Sequence, residues 1–278
     1  MLSDAVRNLG LGSDAVVEPA SRGASGAAWI VRTPAQRYVL RLSSPPLTEG
    51  RVAAMAVARA SGLPAPELIR RAASKDGDIL LLSWLPGSSL YDTLLQDPAA
   101  TRRWGRAMGE MQRRLHQIAA PSEVVDVLAD GDRPFVAGRG ARGLPPGNAL
   151  LHLDWHPLNL LVDETGTRIS GIVDWDNARR GHPLLDLART HSLLSVEPSM
   201  VSLPQELRAR IEELVDAWEE GYGPEAREIP PACHAWAGQV MLADLEARFA
   251  ERPVALDELR GWTRSWEADD RSTASRRR

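Results

Sequence analysis

The hydrophobic pattern of this chain changes period at Leu85-Pro86-Gly87-Ser88, so the segments on either side must fold into different kinds of structure. Upstream, residues 27–33, 38–42 and 79–83 are short apolar or alternating runs separated by turn residues, which reads as β-strand. One helix interrupts them: residues 51–60 are alanine-rich and end at Ser61-Gly62-Leu63-Pro64, a glycine stop with a proline beyond it. Downstream, the pattern predicts helix from Leu90 through residues 99–118, then over 203–220, 231–249 and 256–266. Residues 121–146, rich in Gly, Pro and charge, read as irregular. Residues 150–153, 159–162 and 168–173 read as three short buried strands. The expectation is an α+β protein of two lobes, a β-rich one over residues 1–84 and a mainly helical one over 85–278.

Composition narrows the function. The chain has 278 residues, 44% of them hydrophobic, enough for a sizeable core. A net charge of −4 and a pI near 5.9 give no electrostatic case for nucleic acid or an anionic membrane. No apolar run approaches the length of a membrane span, and residues 1–12 lack a basic start followed by an apolar stretch, so a cytoplasmic protein is expected. Cys233 is the only cysteine, which excludes an intrachain disulfide and predicts a small buried residue. Lys75 is the only lysine, and Ser74-Lys75-Asp76-Gly77-Asp78 reads as a hairpin turn.

Two loop segments carry chemistry. Residues 152–159 read His-Leu-Asp-Trp-His-Pro-Leu-Asn, and residues 171–176 read Gly-Ile-Val-Asp-Trp-Asp. A carboxylate, an amide and a second carboxylate (Asp154, Asn159, Asp174) suit phosphoryl transfer, with one group for an acceptor hydroxyl and two oxygen ligands for Mg²⁺. Other readings attach to the same residues. His152-x-Asp154-x-His156 is also a zinc pattern, although His116, His182, His191 and His234 form no tight ligand motif with it. Asp174-Trp175-Asp176, read by itself, is a strand end with capping carboxylates.

Taken in order, His152-x-Asp154-x-x-x-x-Asn159 and Ile172-Val173-Asp174-Trp175 resemble the catalytic core of the aminoglycoside phosphotransferase family, small-molecule kinases with a protein-kinase-like fold. Leu80 to Gly87, Leu115-His116 and Gly181 to Ala188 extend the resemblance over most of residues 20–195. It implies that Asp154 is the catalytic base, that Asn159 and Asp174 hold Mg²⁺, and that His152 and Asp186 support the catalytic loop. It places the nucleobase against the backbone around Ser83 and Leu85. Val39 and Arg41, which alternate onto one strand face, would lie over the base and toward the phosphates. It also implies ATP or GTP as donor and a small-molecule hydroxyl as acceptor, in a monomer or weak dimer.

The chain departs from the family pattern in two places. Lysine is frequent where Arg41 stands; an arginine keeps its charge and can grip phosphate with two donors, but its geometry differs. Glu49, the nearest candidate for the helix carboxylate that pairs with this cation, lies about two residues too early. Residues 21–26 lack the G-x-G-x-x-G of protein kinases but resemble the short small-residue loops of the antibiotic kinases, whose amides, here around Ser25 and Gly26, would cradle phosphate.

The acceptor is less constrained. Glu212, Glu213, Asp216, Glu219 and Glu220 read as a solvated helix face, whereas the resemblance implies acidic groups that bind a cationic aminoglycoside. Macrolides, sugars and other small alcohols are alternatives, as is a non-catalytic nucleotide-binding pseudokinase module. Trp218, Trp236, Trp262 and Trp266 are core candidates.

Overall fold

In a computed structural model, residues 9–11, 14–20, 28–43, 47–75, 77–129, 144–201 and 203–276 are described. A five-stranded antiparallel sheet opens the chain, with β1 (Val16–Pro19), β2 (Ala28–Arg32), β3 (Arg37–Ser43), β4 (Leu68–Ser74) and β5 (Gly77–Ser83) in the order β1-β2-β3-β5-β4. Helix α1 (Glu49–Ala60) lies between β3 and β4 and is capped by Thr48, whose side chain accepts from Arg51 N–H. Lys75 stands in the β4–β5 turn, as its neighbours predict.

The period-2 pattern of β3 separates two cores. Leu40 packs with Val31 and Leu81 on one face, while Val39 joins Leu80, Leu82 and Leu47 on the other. β4 is the strand the sequence does not announce: Leu-Ile-Arg-Arg-Ala-Ala-Ser lacks alternation because it is an exposed edge strand with a register shift between Leu68 and Arg70.

The expected continuous helix from Leu90 is broken. α2 (Leu90–Gln96) ends before Pro98, a single 3₁₀ turn follows, and α3 starts at Thr101 and runs to His116. Beyond it come β7 (Ala149–Leu151), β8 (Leu160–Val162), β9 (Ile169–Ile172) and β10 (Arg179–Gly181). β7 pairs with β10, and β8 pairs with both β9 and the two-residue β6 (Ser88–Ser89). The helices α4 (Pro183–Ser195), α5 (Gln205–Tyr222), α6 (Pro231–Leu245) and α7 (Asp257–Arg276) follow. α7 extends well past residue 266, and its flank includes a Gln239–Glu267 hydrogen bond to α6 at 2.8 Å.

The segment at the change of period is pinned to the second part. Gly87 has φ 131°, and a Cβ there would run into the Val162 carbonyl, while Ser170 Oγ donates to Pro86 O at 2.7 Å. Trp218 and Trp236 are fully buried, as expected; Trp262 and Trp266 are half-buried and meet edge to face. Cys233 is buried, and burial pushes its thiol up to about 12.

α3 and α5 are packed nearly backbone to backbone. Cβ atoms added at Gly105 and Gly109 would strike Ala217, Trp218 and Tyr222 on α5, and Gly221 faces Arg106 in the same way. Gln112 locks the contact by accepting from Trp218 Nε1 at 2.8 Å and donating to Thr190 Oγ1 at 2.9 Å, so one side chain joins α3, α4 and α5. Gly109→Ala gains about 1 kcal/mol of helix propensity, yet the forced separation should outweigh it. A net destabilisation of about 1–3 kcal/mol is expected from overpacking, read as a lower urea midpoint at unchanged slope.

Candidate active site

Asp154 stands on the loop between β7 and β8, and Asn159 ends the 3₁₀ turn that leads into β8. Asn159 Nδ2 donates to the Asp154 main-chain oxygen at 2.9 Å and to its Oδ2 at 2.8 Å. The amide nitrogen is thereby committed to the loop, and the amide oxygen is the atom suited to a hard cation. His156 joins this pair, with Nε2 3.1 Å from Asn159 Nδ2 and 3.4 Å from Asp154 Oδ1. In the sequence, His156 belongs only to the zinc pattern His152-x-Asp154-x-His156.

Burial by itself would raise the Asp154 carboxyl, but the hydrogen bond and charge of His156, with His152 and Arg189 beyond, hold it down to about 2. Such a carboxylate stays ionised and accepts hydrogen bonds; it is a weak base. Its side chain is 22% exposed, within reach of a ligand.

The loop is held from below by Asp186 on α4. This fully buried carboxylate accepts from His152 N at 3.0 Å and Leu153 N at 2.8 Å, and lies 2.9 Å from His116 Nε2. His116 Nδ1 in turn meets the Tyr222 hydroxyl at 2.8 Å, which ties the loop to the α3–α5 contact. Desolvation opposes the Asp186 charge, yet the His116 hydrogen bond and charge and the His152 amide keep its pKa below the ordinary value. Leu153 adopts φ 61°, a left-handed conformation that costs a branched residue energy and that Asp186 helps to fix.

Asp174 follows β9 and is also left-handed, at φ 60°. Its loop is joined to the first by Val173 N–H donating to Asn159 O at 2.9 Å and by His152 Nε2 at 3.0 Å from Val173 O. His152 is fully buried, edge-on to the rings of Trp155 and Trp175, which is the setting of a structural histidine and unlike an open zinc ligand. Among the described residues, no group of three His, Cys, Asp or Glu side chains is placed to hold a metal ion.

Arg41 reaches across from β3. Its Nη2 lies 3.0 Å from Asp174 Oδ1 and 2.6 Å from Asp176 Oδ2. Arg51 on α1 approaches the other Asp176 oxygen at 4.0 Å. Burial and the neighbouring Asp174 raise the Asp176 pKa against the pull of Arg41 and Arg51. The Glu49 candidate is placed elsewhere: it bonds Arg71 at 3.2 Å with its side chain 82% exposed, because the first residue of α1 points toward β4. Two carboxylates of the Asp174–Asp176 loop thus stand where a helix carboxylate was sought. The spacing Asp174-x-Asp176 and the presence of Arg51 two residues after Glu49 are the sequence signals of this arrangement.

Val39 lies on the same face of β3 as Arg41 and packs beside Leu80 and Leu82. Ser83 ends β5; its amide donates to Glu67 O, and its hydroxyl accepts from Glu67 N, both at 2.9 Å. Leu85 is half-buried in the following segment. Ser25 and Gly26 lie outside the described residues.

Asp186→Asn should destabilise the protein by about 3–5 kcal/mol, the usual result of removing one partner from a buried ionic cluster. The pH dependence has a definite sign. Asp154 and Asp186 are both depressed, so their stabilisation is complete above the ordinary carboxylate range near 3.8 and is lost as pH falls through the lowered values, about 2 for Asp154. Denaturant titrations from pH 5 to pH 2 should show a shallower acid loss for Asp186→Asn than for the wild type.

The chain resembles a thermostable variant of aminoglycoside phosphotransferase APH(4)-Ia, solved in ternary complex with ADP and hygromycin B, at a TM-score of 0.66 and 18% identity over 95% of this chain and 97% of that one. Choline kinase LicA from Streptococcus pneumoniae gives a TM-score of 0.56 at 11% identity, covering 96% and 98% of the two chains. These likenesses establish a two-part, protein-kinase-like fold. A curated relative, acyl-CoA dehydrogenase family member 11 of Gallus gallus, is 33% identical over 91 residues, which are 31% of this chain and only 11% of that protein. The model of the phosphotransferase enzyme family matches residues 16–142 and 124–236, together well over half of the sequence, and the chain is a member of that family.

Proposed function

We propose that the protein transfers the γ-phosphate of ATP, or of GTP, to a hydroxyl of a small molecule, with an aminoglycoside as the leading acceptor class. The observation that carries this reading is the meeting of two strand-end loops and β3 at one place, where Asp154, Asn159, Asp174 and Arg41 are joined through the contacts above.

In this reading Asp154 accepts a hydrogen bond from the acceptor hydroxyl and aims its oxygen at the γ-phosphorus. The new P–O bond forms as the bond to the β,γ-bridging oxygen breaks, the nucleoside diphosphate leaves with the electron pair, and the hydroxyl proton passes to Asp154 and on to solvent. With a pKa of about 2, Asp154 is suited to orientation and late proton acceptance, which a loose phosphoryl-transfer transition state permits. Asn159 and Asp174 offer amide and carboxylate oxygens, a donor set that fits Mg²⁺. Bound there, Mg²⁺ would neutralise charge developing on the phosphate oxygens. Arg41 would supply a permanent positive charge to the phosphates, and Val39 would cover the base beside the backbone at Ser83 and Leu85. The segment with Ser25 and Gly26 is proposed as the phosphate cradle.

The cationic acceptor is supported on α5. Glu219 and Glu220 are occupied by Arg227 and by Arg102 and Arg106, whereas Glu212 and Asp216 line a cavity of about 260 Å³ with His191 and Arg208. The protein is proposed to act in the cytoplasm as a monomer or weak dimer.

Asp154→Asn should keep nucleotide binding while transfer falls by about 10²–10⁴, the usual contribution of a positioned acid–base group. Steady-state assays with an accepted aminoglycoside decide this, and unchanged turnover removes Asp154 from its role. Asp174→Ala should weaken Mg²⁺–ATP binding in calorimetry; wild-type affinity would count against its ligand role. An ATP-consumption screen over aminoglycosides, macrolides and sugars identifies the acceptor, and nucleotide binding without transfer to any of them favours a binding module.

A further inference from the structure

The cation on β3 is joined to the first helix indirectly, through Asp176. Arg41 Nη2 is shared between Asp174 Oδ1 at 3.0 Å and Asp176 Oδ2 at 2.6 Å. The remaining Asp176 oxygen faces Arg51 Nη1 at 4.0 Å, and α1 rests against the Trp175–Asn177 turn that carries Asp176. That turn is fixed in place: Trp175 Nε1 donates to Ile172 O at 2.9 Å, and the ring is buried. Both guanidinium groups are enclosed, each side chain 13% exposed, so solvent screening between them is weak. Glu49 is engaged by Arg71 on the other side of the helix start and takes no part in the cluster.

The order along this line is cation, anion, cation, with Asp176 in the middle. We propose that Arg51 and Asp176 are positioning residues for Arg41, through which helix α1 sets the strength of the phosphate clamp; this rests on the nucleotide-kinase reading above. Asp176 holds the Arg41 side chain beside Asp174, in the place where a nucleotide's phosphates would meet it. Arg51 draws off part of the Asp176 charge and brings the four groups to neutrality. Without Arg51 the cluster carries a surplus negative charge, which grips Arg41 more tightly and repels a polyanionic ligand. Removal of Asp176 in the same chain takes that surplus away.

The test is a double-mutant cycle on the full chain with Mg²⁺–ATP as probe. Arg51→Gln is expected to weaken Mg²⁺–ATP binding about tenfold, the size of coupling found within one ion-pair network. Arg51→Lys should retain most of the affinity, and adding Asp176→Asn to Arg51→Gln should recover most of the loss. A merely structural role for Arg51 predicts no such recovery. Wild-type affinity in Arg51→Gln, or a double variant no better than the single one, overturns the relay. Thermal unfolding of the four ligand-free proteins of the cycle, wild type, Arg51→Gln, Asp176→Asn and the double variant, separates this proposal from the functional reading. The relay requires non-additive midpoints even if the wild type binds no ATP, a result that would refute the kinase reading alone, and additive midpoints overturn the relay.

Discussion

The Asp186 carboxylate is the constraint on which the site depends. A charge with no exposure to solvent is costly unless each of its lone pairs is answered, and here two backbone amides and an imidazole answer them. The two amides belong to His152 and Leu153, so the hydrogen bonds also hold the backbone that presents Asp154. Because His116 and Tyr222 continue the chain of contacts into α3 and α5, the direction of the loop is inherited from the packing of two helices. That packing is close only because Gly105, Gly109 and Gly221 carry no side chain. Small residues on a helix pair and a buried acid on a third helix thus combine to place one carboxylate at the surface.

The parts of this arrangement legible in the sequence are those with a local pattern. The alternation around β3 puts Val39 and Arg41 on one face, and the proline–glycine break at residues 86–87 marks the change from sheet to helix. The spacing within residues 152–159 places Asp154 and Asn159 on one loop, since five residues with a proline turn bring the amide back to the carboxylate. What could not be read is non-local. β4 has no alternation because one edge and one face are open, and its strand conformation comes from β5. The partner of Arg41 depends on where a distant turn meets the sheet, so Glu49, near in sequence, loses to Asp174 and Asp176, more than a hundred residues away. His156 lies inside the recognised motif, yet its contact with both Asp154 and Asn159 follows from the fold of the turn.

Three of the four carboxylates described at the site occupy distinct electrostatic settings. Asp154 is held ionised by imidazole and guanidinium groups, Asp186 by internal donors, and Asp176 is pushed toward protonation by burial and by Asp174 despite two arginines. Differences of this kind let neighbouring acids of one type serve as acceptor, anchor and adjustable counter-charge.

Arginine at position 41 also fixes the chemical temperament of the cleft. A lysine there would be an amine that can shed its proton when desolvated and attack electrophiles, whereas a guanidinium stays protonated and is a poor nucleophile. The one lysine of the chain stands in the β4–β5 turn. Under the proposed nucleotide reading, acylating or carbonyl-bearing nucleotide analogues that label through a lysine amine would find no such group on β3, so that form of covalent capture would have no target on the strand.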